Sequence, residues 1–67
     1  MDPLACYNEM VDLLNDKNVV ESKEKAKELK EWLDKGGFYP RVSTFNEHYN
    51  NECVDRMISI IISYKLY

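Results

Sequence analysis

The sequence predicts an all-α fold, a small three-helix bundle, and three observations carry that prediction. Apolar residues recur at helical spacing in three separate stretches. Cap and breaker residues divide those stretches: Asp2-Pro3, Asn15-Asp16-Lys17-Asn18, Gly36-Gly37 and Pro40. The chain has 67 residues, 45% of them apolar, which suits one small core and is too apolar for a solvated tail. Residues 1–67 are therefore read as a single helical domain, near the size at which burial only just offsets chain entropy.

The first helix is expected over about residues 3–15. Asp2 offers an oxygen to the free N–H groups, and Pro3 suits the first helical position. Leu4, Tyr7, Met10, Val11 and Leu14 share one face, whereas Asp2, Glu9, Asp12 and Asp16 lie opposite. Residues 15–18 have turn chemistry, and Val19-Val20 read as a short apolar link.

The second helix is expected over about 22–35, capped by Ser22. Its core stripe is narrow: Ala26, Leu29, Trp32 and Leu33. The remainder is Lys and Glu, with Glu21–Lys25, Lys27–Glu31 and Glu31–Lys35 at i, i+4 spacing. Such pairs add a few tenths of a kcal/mol each, so this is a solvated outer face. At its end, Gly37 is expected to take the left-handed conformation that closes a helix, with Phe38 folding back onto Leu33. Pro40 forbids continuation.

The third helix is expected over about 45–66, the longest of the three, entered through a Thr44–Glu47 capping box and bent near Asn50-Asn51. Alternation of Ile58, Ile60, Ile62, Tyr64 and Leu66 gives residues 57–67 a strand-like look. Helical spacing, however, organises the whole segment. It gathers His48, Glu52, Asp55, Ser59 and Ser63 into a polar stripe, facing Tyr49, Cys53, Met57, Ile60, Tyr64 and Tyr67 as the core side. Val54, Ile58, Ile62 and Leu66 are then a second apolar row. Two readings of that row stand open: an exposed partner-binding surface, or the far side of a central core helix.

Charge and motifs narrow the functional classes. The net charge is −3, and the excess lies in the first twenty residues, where Glu9, Asp12 and Asp16 form a face that could steer a basic partner. No basic run resembles a phosphate-binding patch, which disfavours general nucleic-acid binding. The alternative is a single-strand site in the aromatic and basic loop 35–49, using Tyr39, Arg41 and Tyr49. His48 and Glu52 form a lone i, i+4 pair without a nucleophile, and Cys6, His48 and Cys53 lack zinc-ligand spacing. Gly36-Gly37 follows a helix, whereas phosphate loops precede one.

No catalytic residue, cofactor or metal is therefore expected, and the chain is read as a non-enzyme. No leader or membrane span is evident, so a cytoplasmic location is expected. Cys6 and Cys53 are then reduced, buried thiols, although a bridge between them stays open. The functional expectation is a non-enzymatic protein-interaction module using Val54, Ile58, Ile62 and Leu66. Its partner would be another protein or a second copy in a homodimer. The size and acidity suit a small accessory subunit or a phage-encoded modulator.

Overall fold

The structure, a computed structural model, describes residues 1–64. They form three helices: α1 (Pro3–Asn15), α2 (Val19–Asp34) and α3 (Glu47–Ser63). There is no strand among the described residues, so the all-α three-helix prediction holds. The third helix, expected over 45–66, begins at Glu47 and ends at Ser63 with Tyr64 extended (φ −63°, ψ 126°); residues 65 and 66 lie outside the described residues.

α1 begins as its sequence dictates, with the Asp2 carboxylate accepting hydrogen bonds from the N–H groups of Leu4 (3.1 Å) and Ala5 (3.3 Å). It ends in a double bond pattern that uses the next three residues. The N–H of Asn18 donates to Leu13 O (2.8 Å) and that of Lys17 to Leu14 O (3.0 Å), with Lys17 itself at φ 65°. This is a Schellman-type cap in which a lysine occupies the position that glycine takes most cheaply.

The same Asn18 caps α2, its side-chain oxygen accepting from the Glu21 N–H at 3.4 Å. α2 therefore starts three residues before the expected Ser22, and Val19-Val20 are its first turn and not a link. Ser22 serves the core instead. It is fully buried, and its hydroxyl donates to Met10 O at 2.7 Å. A small side chain with a satisfied hydroxyl lets the backbones of α1 and α2 approach closely.

At the C-terminus of α2 the left-handed residue is Gly36 (φ 90°), not Gly37. The helix stops at Asp34, so the closing bonds run from Gly37 N–H to Trp32 O (2.9 Å) and from Gly36 N–H to Leu33 O (3.0 Å). Gly37 is needed for space. A Cβ there would meet the Trp32 indole at 2.3 Å. The Trp32 ring N–H donates to Phe38 O (2.9 Å), and Phe38 meets the indole edge-on at 5.6 Å. Phe38 thus pairs with Trp32, where sequence had it folding onto Leu33.

α3 is capped by Asn46, whose side-chain oxygen accepts from the Tyr49 N–H at 2.7 Å. This replaces the expected Thr44 capping box. It is also unbroken at Asn50-Asn51, where sequence suggested a bend. The core gathers Cys6 and Met10 of α1, Ala26 and Leu29 of α2, and Val54, Ile58 and Ile61 of α3. α2 is the central helix. It packs against both others, while α1 and α3 touch each other little.

Candidate protein-interaction groove

Because α1 and α3 are held mainly through α2 and touch each other little, the seam between them stays open. It forms a solvent-accessible groove of about 630 Å³. Leu4 and Tyr7 of α1 and Tyr49, Cys53, Met57 and Ile60 of α3 supply its apolar surface. Leu4 and Ile60 are 40% and 52% exposed, high values for large aliphatic side chains. Phe45 extends the apolar surface beyond one end, packing edge-on against Tyr49 at 5.4 Å.

Of the two readings open for the second apolar row, burial fits the core helix and not the exposed partner-binding surface. Val54 is fully buried, Ile58 is 4% exposed and Ile62 is half-buried against the core, so the row Val54–Ile58–Ile62 faces inward. Leu66, its last member, lies outside the described residues. The face assigned to the core, Tyr49, Cys53, Met57 and Ile60, is the one that lines the groove. The physical reason is where α2 lies: it packs on the side of α3 that carries Val54, Ile58 and Ile61, and the side that carries Tyr49, Cys53, Met57 and Ile60 is left at the open seam.

The connection between α2 and α3 forms one wall of the groove, and a single amide fixes it. The Asn50 side-chain oxygen accepts from the N–H groups of Val42 (2.7 Å) and Ser43 (2.8 Å), while its NH2 donates to Pro40 O (2.9 Å). Asn50 is 2% exposed. Beside it the Tyr39 hydroxyl donates to the Asp55 carboxylate at 3.0 Å. Burial, and then that carboxylate, push the Tyr39 phenol above its ordinary pKa. These contacts hold Arg41 at the groove, where Arg56 of α3 joins it.

Both arginines are exposed, and neither has a carboxylate at ion-pairing distance among the described residues. No carboxylate lines the groove. The expected acidic face stands elsewhere: Glu9, Asp12 and Asp16 border a separate shallow hollow with Glu21 and Lys25. Glu9 is already engaged by Lys25 of α2 at 3.0 Å. That inter-helix pair takes Lys25 from the expected partner Glu21, and of the three expected pairs on α2 it is Glu31–Lys35 (2.9 Å) that forms an ion pair.

The alternative nucleic-acid residues do not form one surface. Arg41 and Tyr49 line the groove, whereas Tyr39 borders a smaller hollow on the other side of Arg41 with Phe38, Glu47, Asn50 and Asn51. His48 and Glu52 pair at 3.2 Å on an exposed stretch of α3 that does not line the groove. Among the described residues no three His, Cys, Asp or Glu side chains are placed to hold a metal ion. No helix there is long and apolar enough to cross a membrane.

The two cysteines are free and differ in setting. Cys6 is buried, its thiol directed at Lys25 O (3.5 Å), and burial first, then Glu28, raises its pKa. Cys53, expected to be buried, is half-buried in the groove. Desolvation raises the pKa of the neighbouring Tyr7, with a smaller contribution from Cys53.

Sequence reasoning missed Leu4, Tyr7, Met57 and Arg56 as groove residues. A usable signal was present in Tyr49, whose ring has one apolar face and one polar tip and so suits a surface that is partly wet. The fold and groove define a small helical protein with one open interhelical seam. The chain matches no known family, no curated protein and no solved structure at a significant level.

Proposed function

We propose that this protein is a non-enzymatic protein-interaction module, a small accessory or modulator protein that receives its partner in the groove between α1 and α3. The observation that supports this reading most is the continuity of the exposed apolar surface from Leu4 and Ile60 through Tyr49 to Phe45. Contiguous exposed apolar surface on a small domain marks a contact surface more often than a solvent face. Its volume alone would admit a small molecule, but its openness to solvent along the seam favours a macromolecular contact over a substrate-enclosing site. The size and acidity that suit a phage-encoded modulator are compatible with the same role.

The test uses Cys53 as a reporter inside the groove. A helical peptide with leucines on one face and uncharged polar residues on the other is added, and alkylation of Cys53 by iodoacetamide is followed by mass spectrometry. Docking slows the alkylation. Ile60→Glu, at a half-exposed position, removes that protection and leaves helical circular dichroism unchanged. Unprotected Cys53 at saturating peptide refutes the reading.

A further inference from the structure

We infer that the occupant of the groove is an acidic amphipathic helix of another protein, docking as a fourth helix between α1 and α3. The inference rests on the interaction-module reading and adds the chemistry of the partner.

The length and lining of the groove point to a helix. From Tyr49 to Ile60 the groove follows α3 for about 16 Å at 1.5 Å per residue. That is about three turns, room for apolar anchors at i, i+4 and i+7. An extended segment would bring unpaired backbone N–H and C=O groups onto a mostly apolar surface, and no sheet edge exists among the described residues to satisfy them. A helix satisfies its own backbone. With α2 already holding α1 and α3 together, a fourth helix in the open seam would complete a four-helix arrangement.

The charge of the occupant follows from the two arginines. Acids outnumber bases twelve to nine in the chain, yet the groove carries Arg41 and Arg56 and no carboxylate. Carboxylates flanking the apolar anchors of a partner would meet both guanidiniums, whereas a basic helix would be repelled.

The same charges argue against a second copy. A two-fold interface sets a patch against itself, so it would bring four guanidiniums together with no counter-charge from either groove. The helices of a second copy are also poor occupants, because their apolar stripes already form its own core. Single-stranded nucleic acid could meet the arginines, but two guanidiniums make too short a phosphate track and Tyr39 stands in a separate hollow, away from Tyr49.

The experiment compares two peptides of about four helical turns that share one leucine face and differ only in flanking residues, all Glu or all Lys. Affinity is measured by calorimetry and groove occupancy by Cys53 alkylation. The Glu peptide is expected to bind at least about tenfold tighter than the Lys peptide and to protect Cys53. The double variant Arg41→Glu with Arg56→Glu, at exposed positions, is expected to reverse that preference without loss of helicity.

Equal affinities with Cys53 protected would overturn the acidic partner while the interaction module stands. No protection by either peptide, or by the uncharged one, would overturn both. Tighter binding and protection by an oligothymidylate would replace the proposal with a nucleic-acid reading. A concentration-dependent dimer that itself protects Cys53 would assign the groove to a second copy.

Discussion

Asn50→Ala should be among the most damaging single substitutions available outside the apolar core. The wild-type amide receives two backbone donors, at 2.7 and 2.8 Å, and donates to Pro40 O at 2.9 Å and to the Asn51 side-chain oxygen at 3.3 Å, from a site 2% exposed to solvent. Alanine leaves the N–H groups of Val42 and Ser43 and the carbonyl of Pro40 without these partners. A net hydrogen bond contributes about 0.5–1.5 kcal/mol, and a stranded buried group costs about 1–3 kcal/mol. Water can reach part of this loop, so the loss should come to about 2–4 kcal/mol.

A domain of this length holds about 3–10 kcal/mol in total, at roughly 0.05–0.15 kcal/mol per residue. The variant should therefore be close to unfolding. Urea denaturation, followed by Trp32 emission and helical circular dichroism, should show the midpoint falling by about 2–4 M for a slope near 1 kcal/mol/M. Native-state hydrogen exchange should quicken at Val42 and Ser43 before it quickens in α1. Asn50→Asp retains both acceptor positions but loses the donor to Pro40 and buries a charge, so it should be destabilised as well. A loss below about 0.5 kcal/mol for Asn50→Ala, the low end of one net hydrogen bond, would refute the claim that this amide fixes the loop.

Other tests follow from the packing and the caps. Ile58→Ala should cost about 2–4 kcal/mol, while Ile60→Ala, at a half-exposed position, should cost under about 1 kcal/mol; equal costs in urea melts would contradict the orientation of α3. Gly37→Ala should displace the Trp32 indole, costing about 1–3 kcal/mol by overpacking and shifting tryptophan emission; an unchanged spectrum would count against the contact. Lys17→Gly should raise stability by about 0.5–1 kcal/mol by relieving the left-handed lysine, as read from the thermal midpoint.

Alkaline pH should weaken the fold. The raised Cys6 pKa means that the unfolded chain releases the thiol proton first. The stability from that buried neutral thiol is complete below the ordinary value of 9.0 and is lost as pH rises past it. Cys6→Ala should flatten the decline in denaturation midpoints as pH rises through that value.

Much of the fold could be read from the chain because local signals agreed with one another. Asp2-Pro3, the Asn18 turn, the glycine pair and Pro40 mark where helices cannot continue, and backbone chemistry alone decides that. The small errors at Ser22, Thr44 and Gly37 share one cause. Several residues within a turn of each other could serve as caps, and tertiary contacts selected Asn18, Asn46 and Gly36. Ser22 was drawn into the α1–α2 contact, which no local rule announces.

The larger error concerned α3, which is apolar on two faces. Helical spacing finds both faces equally well, and only the shape of α2 decides which one is buried. Asn50 illustrates the same limit. Its sequence context suggests a bend, but its partners lie seven to ten residues back in the connection, and only the folded chain brings them to it.

The two helices that line the groove, α1 and α3, lie far apart in the sequence, and that has a consequence for the protein's lifetime. Only Asp16 to Asn18 separate α1 from α2, whereas twelve residues separate α2 from α3. The α1–α2 hairpin is thus the locally encoded unit, and α3 closes the longer loop and is the natural first element to detach. When it does, the groove ceases to exist. Any ligand in the groove therefore binds only the fully assembled chain and, by mass action, holds α3 in place with a strength set by its concentration over its dissociation constant. Occupancy and resistance to proteolysis become one equilibrium. In a cell, the abundance of the partner would govern how long each copy of this small protein survives.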